Sequence, residues 1–241
     1  MQYKDLALYY DEMMDVDYDS WTNFLISLFK KYDLDYIDKT VLELGCGTGN
    51  MTLKLANLGL KVIALDISQE MLNVARDKVK KGVIFVNEDM KNIDFDKKFD
   101  FVFSFCDGFN YILEEDELFL IFKKVYNLLK EEGLFVFDIS SEYKLKNIIG
   151  NNTFTLNEEK YAYIWDNYLE DDIVDMYITF FVKEGDFYRR IDEHHTQRIY
   201  KLDDMLRMLK KAGFNKIDVY DNYSFETIKE NSQRITFAVR K

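Results

Sequence analysis

The stretch that decides the fold is Val41-Leu42-Glu43-Leu44-Gly45-Cys46-Gly47-Thr48-Gly49-Asn50. A short apolar segment runs into glycines at every second position, and a helical pattern of apolar residues follows. This order predicts a strand, a tight turn and the start of a helix. Glycines in such a turn adopt positive φ angles and let a ligand approach the backbone, while the free N–H groups of the first helical turn face that ligand. The stretch therefore predicts a site for a nucleotide-like cofactor.

Strands and helices alternate around this turn. After a first strand at 39–44, further strands are predicted at 61–66, 83–86, 99–105 and 134–138, and helices at 48–58, 69–79 and 114–129. A helix at 202–212 and strands at 214–220 and 234–239 resume the rhythm later. This alternation predicts an α/β fold with a doubly wound, mostly parallel sheet.

Residues 150–200 break the alternation. They predict antiparallel strands joined by hairpin turns at 170–172 and 184–186. The aromatic N-terminus contains a helical pattern from Trp21 to Phe29, with Asp19 or Ser20 as its N-cap. We therefore expect one domain made of residues 1–149 and 201–241, with a helical cover at 1–37 and a small antiparallel insert at 150–200.

Composition narrows the class of protein. The 241 residues carry 32 basic and 44 acidic side chains, and the net charge of −12 disfavours a nucleic-acid partner. Because no apolar run approaches the ~20 residues that span a bilayer, and the N-terminus lacks a signal-peptide pattern, we expect a cytoplasmic protein with no membrane partner. Cys46 and Cys106 show no metal or redox spacing, so neither a disulfide nor a metal site is expected.

Two carboxylates follow strands near the glycine turn. Asp66 ends the second strand and Asp89 follows the third, at the sheet edge where ligands bind in open α/β folds. Asp66 would accept from two ribose hydroxyls and Asp89 from an adenine amino group, with Ile67 and Met90 on either side of the ring. The alternative is that both acids only cap the helices that follow. A dinucleotide site requires a third glycine where Asn50 stands, which sets a dehydrogenase aside.

Together, these motifs resemble the class I S-adenosylmethionine-dependent methyltransferases. The likeness lies in Glu43-Leu44-Gly45-Cys46-Gly47-Thr48-Gly49, in Leu65-Asp66-Ile67-Ser68-Gln69-Glu70-Met71-Leu72, in Asp89-Met90 and in Phe99-Asp100-Phe101-Val102. It implies strand order 3-2-1-4-5-7-6 with strand seven antiparallel, and S-adenosylmethionine as cofactor. It also implies a set of cofactor-binding residues: Tyr10, Trp21, Glu43, Gly45, Cys46, Gly47, Asp66, Ile67, Met71, Asp89, Met90 and Phe105. The insert and the aromatic cover resemble small-molecule enzymes such as glycine N-methyltransferase and the amino-sugar N,N-dimethyltransferases.

The acceptor side is less defined by the sequence. Asp107, Asn110 and Tyr111 are polar residues in an apolar stretch after strand four, and they contact either the acceptor or only the next helix. In the insert, His195 is a candidate base with Arg198 as an anion contact, and the alternative is that both are ordinary polar residues of a sheet. Tyr10 is a second candidate catalytic residue in the cover.

The leading hypothesis is a methyltransferase acting at nitrogen or oxygen of a small molecule, as a monomer or homodimer. Two alternatives keep the fold: methyl transfer to RNA or protein, and cofactor binding without catalysis.

Overall fold

The structure is a computed structural model that describes residues 7, 9–13 and 16–241. Its helices are α1 (Tyr10–Met13), α2 (Tyr18–Lys31), α3 (Asn50–Asn57), α4 (Gln69–Lys78), α5 (Glu115–Leu128) and α6 (Leu202–Ala212). Its strands are β1 (Thr40–Leu44), β2 (Lys61–Asp66), β3 (Val83–Asn87), β4 (Phe99–Ser104), β5 (Leu129–Ser140), β6 (Thr153–Asn157), β7 (Tyr161–Glu170), β8 (Ile173–Glu184), β9 (Phe187–Arg198), β10 (Lys216–Asp221) and β11 (Arg234–Arg240).

The main sheet has seven strands in the order β3-β2-β1-β4-β5-β11-β10. The first five are parallel, and β11 runs antiparallel to both of its neighbours. The predicted α/β class and the strand order 3-2-1-4-5-7-6 are confirmed. The carboxyl ends of β1, β2, β4 and β5 consequently meet at one edge, where ligands of such sheets bind.

Helices cover both faces of this sheet, because its central strands are apolar on both sides. Leu42, Val102 and Phe137 face α5 and α6, and their neighbours Val41, Phe103 and Val136 face α2 and α3. These strand side chains are at most 2% exposed. The sheet is therefore a rigid platform, on which polar groups at the carboxyl edge are held in place.

The insert forms a separate antiparallel sheet in the order β6-β7-β8-β9. Two-residue loops join β7 to β8 and β8 to β9, at Asp171-Asp172 and Gly185-Asp186, with positive φ at Asp171 and Gly185 as hairpin turns require. One face of β9 is buried and the other exposed, so its side chains alternate between interior and solvent.

The structure differs from the sequence prediction in several details. The N-cap of α2 is Asp17, whose carboxylate accepts from Ser20 N at 2.9 Å, because the helix starts earlier than the apolar pattern does. Strand β5 begins at Leu129, where a bulge in its pairing with β4 accommodates Gly133. A helical turn at Lys144–Ile149 separates β5 from the insert and was not predicted. Within the described residues, no helix is long and apolar enough to cross a membrane.

Candidate active site

The glycine turn between β1 and α3 has the backbone conformation that its sequence predicts. Gly47 and Gly49 have φ angles of 54° and 79°, in the left-handed region that side-chain-bearing residues avoid. A Cβ on Gly49 would lie 2.9 Å from the Cβ of Ala75, so this glycine also allows α4 to approach closely. A Cβ on Gly47 would have no heavy atom within 4 Å, because that position faces an open cavity.

Asp66 ties the glycine turn to the end of β2. Its Oδ2 accepts from Gly47 N at 2.8 Å, and its Oδ1 accepts from Ser68 N at 2.8 Å. Burial raises the pKa of this carboxyl group, although the two backbone N–H groups favour its charged form. Asp66 thus joins the glycine turn to the turn after β2, whereas the side-chain cap of α4 is Ser68, whose hydroxyl accepts from Met71 N.

A cavity of about 280 Å³ opens at this edge of the sheet. Its wall contains Asn50 and Ile112 as well as eleven of the predicted cofactor-binding residues: Tyr10, Glu43, Gly45, Cys46, Gly47, Asp66, Ile67, Met71, Asp89, Met90 and Phe105. Trp21, the remaining predicted cofactor contact, is stacked on Tyr223 with ring centroids 4.1 Å apart, and its ring faces that of Phe105 at 6.4 Å. Among the described residues it therefore lies behind the cavity wall, and its contact with cofactor stays a prediction.

The cavity wall suits a purine nucleoside. Ile67 is 63% exposed although it is apolar, and it lies on the wall together with Met90. An apolar ring placed there would cover surface that otherwise meets water. Asp89 lies on the same wall, and its Oδ1 accepts from Lys91 N at 2.8 Å, so it caps the turn after β3. Carboxylates at both ends of an apolar slot match the hydroxyl and amino groups of an adenosine.

Glu43 is buried beneath the glycine turn. It is 1% exposed, and its Oε2 accepts from Thr52 Oγ1 at 2.6 Å. Burial raises the pKa of Glu43 to about 8; Thr52 opposes this shift, and the charge of Asp66 adds to it. A cationic group entering the cavity would stabilise the ionised carboxylate.

The N-terminal cover is fastened to the glycine turn by Asp11. Its Oδ1 accepts from Thr48 Oγ1 at 2.6 Å and from Asn50 Nδ2 at 2.8 Å, and its Oδ2 pairs with Lys78 Nζ at 2.6 Å. Burial opposes the charge of Asp11, but these partners lower its pKa below the usual value. Tyr10 and Tyr18, on either side of Asp11 in sequence, both line the cavity. One carboxylate thus joins this part of the cover to the glycine turn.

A second carboxylate, Asp138, holds the loop after β4. It is fully buried and accepts from Cys106 N at 3.0 Å and Asp107 N at 2.6 Å, and also from Tyr223 and Arg234. Cys106 and Asp107 have φ angles of 59° and 52°, a conformation that non-glycine residues rarely adopt. Asp138 therefore compensates a strained loop whose first residue, Cys106, lines the cavity.

The predicted acceptor residues fall into two groups. Tyr111 lines the cavity, and its ring meets that of His195 edge-on at 6.0 Å. Asp107 accepts from Gln197 Nε2 at 2.9 Å and pairs with Arg234 at 2.9 Å. The loop after β4 therefore lies against the buried face of β9.

Asn110 and Arg198 have structural partners. Asn110 accepts from Ser140 N at 2.9 Å and donates to Arg198 O at 2.9 Å, which joins the insert to β5. The Arg198 guanidinium donates to Leu113 O at 2.7 Å and pairs with Glu115 at 3.1 Å, at the start of α5. Neither is among the described residues of the cavity wall, and their contact with an acceptor stays a prediction.

The described residues contain no group of three or more His, Cys, Asp or Glu side chains that could hold a metal ion. Both thiols are held in the protonated form, because burial raises their pKa above the ordinary value. The site therefore offers carboxylates, tyrosines and one buried imidazole for its chemistry.

Several residues of the site were missed by sequence reasoning. Asp138 ends the strand predicted at 134–138, as Asp66 ends the strand predicted at 61–66, so the same signal marks it. Arg234 starts β11, Tyr223 lies in the loop before it and Asp11 is in a polar N-terminal run, and none of these has a local pattern that indicates its partner.

The fold and this cavity define an α/β protein that binds an adenosine-containing cofactor at the carboxyl edge of its sheet. The family described as methyltransferase domain matches residues 41–133. A putative methyltransferase of Geobacillus sp. (strain WCH70) is 36% identical over 100% of both chains. The crystal structure of an S-adenosylmethionine-dependent methyltransferase from Clostridium acetobutylicum superposes with a TM-score of 0.92 and 40% identity, covering 99% of this chain and 98% of that one.

The chain belongs to the S-adenosylmethionine-dependent methyltransferases, and S-adenosylmethionine is its cofactor. The sugar N-methyltransferase KedS8 from Streptoalloteichus sp. shares the fold, with a TM-score of 0.80 at 16% identity over 100% of this chain and 94% of that one.

The raised pKa of Glu43 predicts a pH-dependent stability. In the unfolded chain this carboxyl group titrates near pH ~4.3, and in the folded protein near pH 8. Between those values the folded state holds a proton that the unfolded state has lost, so this group lowers the free energy of unfolding by about 1.4 kcal/mol per pH unit as pH rises.

We expect Glu43→Gln to be increasingly more stable than the unmodified protein as pH rises from 5 to 8, because glutamine still accepts from Thr52 but carries no charge. Urea unfolding at several pH values measures the difference. Stability curves that stay parallel across this range would contradict the assignment.

The contacts of Asp11 hold the N-terminal cover against the glycine turn, so we expect them to slow the dissociation of the cofactor product. We expect Asp11→Asn to release S-adenosylhomocysteine roughly five- to tenfold faster, which corresponds to the loss of about 1–1.4 kcal/mol of charge-assisted hydrogen bonding. Stopped-flow displacement followed by tryptophan fluorescence measures the rate. Asp19→Asn is the matched control, because Asp19 pairs with Lys54 on the exposed surface of the same region. Equal dissociation rates in the two variants would rule out the fastening role of Asp11.

Proposed function

We propose that this methyltransferase acts on a nitrogen or oxygen atom of a small-molecule acceptor. The observation that carries the proposal is the contact between the insert and the loop after β4, part of which lines the cofactor cavity. Gln197 and His195, on the buried face of β9, meet Asp107 and Tyr111 of the loop after β4. Tyr111 lines the cofactor cavity, so an acceptor enclosed here would reach the cofactor directly.

Enclosure and charge favour a small acceptor over a polymer. The inner face of the insert sheet carries buried apolar side chains such as Met176, Phe180 and Ile191, so that face is not an open groove. A chain of net charge −12 is a poor partner for nucleic acid. The shared fold with a sugar N-methyltransferase supports the same class of acceptor.

The cofactor, when bound, supplies an electrophilic sulfonium methyl group. The chain's own residues then have two tasks: to orient the acceptor and to exclude water. Burial lowers the pKa of His195 to about 4, and the neighbouring His194 adds to the shift. The His195 imidazole is therefore neutral at physiological pH, and it can accept a hydrogen bond from an acceptor amine or hydroxyl and so orient the acceptor. Because this pKa makes it a weak base, the proton released on methyl transfer passes to solvent.

Asp107 provides a fixed negative charge against the same face of β9, through its contact with Gln197. Burial opposes its ionisation, but the Arg234 guanidinium and other partners lower its pKa below the usual value. A carboxylate held by Arg234 and Gln197 has little freedom to turn, so it suits orientation of an acceptor group. Tyr10, the other candidate, is held in the phenol form because burial raises its pKa, so it suits donation of a hydrogen bond to the acceptor.

The test uses methyl-labelled S-adenosylmethionine with panels of amino sugars, other amines, phenols and carboxylates. Bulk tRNA and a protein extract are the competing substrates. We expect label to appear in a small-molecule product, His195→Gln to lower kcat tenfold or more, and His194→Gln to leave it unchanged. His194 is the matched control, because it lies on the exposed face of β9 and bonds Asp175. Label found only in RNA or protein, or label transferred to nothing in spite of cofactor binding, would overturn the proposal.

A further inference from the structure

A second cavity lies at the same edge of the main sheet as the cofactor cavity. It has a volume of about 510 Å³ and lies beside the carboxyl ends of β5 and β10, at the start of β11. Its lining is Lys144, Asp221, Asn222, Lys229, Asn231, Ser232, Gln233 and Arg234. The carboxyl edge of the sheet is the edge at which such folds bind ligands, so this cavity and the cofactor cavity face the same region.

Arg234 forms the wall between the two cavities. It lines the second cavity, pairs with Asp107 at 2.9 Å and contacts Asp138. Asp107 in turn follows Cys106, which lines the cofactor cavity. The second cavity therefore lies on the other side of Arg234 from the loop after β4.

The lining carries positive charge in a strongly acidic protein. Its charged residues are one carboxylate, Asp221, and three cations, Lys144, Lys229 and Arg234. The whole chain, by contrast, has a net charge of −12. Lys229 is already paired with Glu226 at 2.6 Å, and Arg234 with two aspartates. Lys144 therefore decides what this cavity can bind.

Lys144 is a partly buried cation that forms no ion pair with residues 7, 9–13 or 16–241. Its Nζ bonds Ser140 Oγ at 3.2 Å, and in the described part of the chain no carboxylate lies within ion-pairing distance of it. Burial lowers the pKa of this ammonium group, in spite of the opposing charge of Asp107. A bound anion would stabilise the charged ammonium group and offset the cost of its burial. Buried lysines bind phosphate or carboxylate groups for this reason.

Neutral donors complete the lining. Asn222, Asn231 and Gln233 contribute side-chain amides, and Ser232 contributes a hydroxyl whose oxygen accepts from Lys229 N at 2.8 Å. Amide and hydroxyl groups around one ammonium group match the several acceptor oxygens of an oxyanion.

We propose that the second cavity binds an oxyanion, a phosphate or a carboxylate group, against the ammonium group of Lys144. This site goes beyond the proposed function and does not depend on it.

The test measures anion binding without methyl transfer. Inorganic phosphate and acetate are each titrated into the protein at constant ionic strength, and the backbone N–H signals of Ser232 and Gln233 are followed by NMR. We expect saturable shifts with the preferred anion, at least tenfold weaker binding in Lys144→Gln, and recovery in Lys144→Arg. The tighter of the two probes identifies the group as phosphate or carboxylate.

Lys216→Gln is the matched control, because it removes the same charge from an exposed lysine of β10 that pairs with Glu132. Cofactor affinity, measured in parallel, shows that each variant is folded. The absence of saturable shifts, or equal weakening in Lys144→Gln and Lys216→Gln, would overturn the anion site. Because neither readout needs turnover, a protein that binds phosphate here but methylates no small molecule would overturn only the proposed function.

Discussion

The active site depends on one carboxylate that receives two backbone N–H groups. Asp66 holds Gly47 on one side and Ser68 on the other, so that the turns after β1 and β2 are joined at a single side chain. The left-handed backbone of the glycine turn has few hydrogen-bond partners of its own, and this carboxylate supplies one. Since each carboxylate oxygen has a further lone pair, Asp66 can fix the loop and still accept from a ribose.

The same device recurs at the other end of the cavity. Asp138 accepts from Cys106 N and Asp107 N, and it is also held by Arg234 at the start of β11 and by Tyr223 in the loop before it. Two adjacent non-glycine residues in the left-handed region are costly, so their conformation persists only because the surroundings fix it. Acidic side chains near the carboxyl ends of the parallel strands β2 and β5 thus fix the loops at both ends of the site.

Whether a feature of the structure was predictable from the sequence depended on how far apart in the chain its interacting residues lie. The sheet order and many residues of the cavity wall were predictable, because Gly45 to Gly49, Asp66 and Asp89 lie at or just after the ends of strands within local patterns. The contacts of Asp11 with Lys78, and of Asp138 with Arg234, were not, because they join residues 67 and 96 positions apart with no periodicity between them. Asn110 and Arg198 were predicted to contact the acceptor. In the structure their hydrogen bonds link β5, β9 and the segment before α5.

The most direct measurement is a double-mutant cycle between Asp66 and the ribose hydroxyls of the cofactor product. Calorimetry would compare S-adenosylhomocysteine with its 2′,3′-dideoxy analogue on the unmodified protein and on Asp66→Asn. We expect the missing hydroxyls to weaken binding to the unmodified protein by roughly tenfold or more, which is about 1.4 kcal/mol, and to have little effect on the variant. Equal losses of affinity in both proteins would show that Asp66 does not bind the ribose, and would contradict the placement of the cofactor described above.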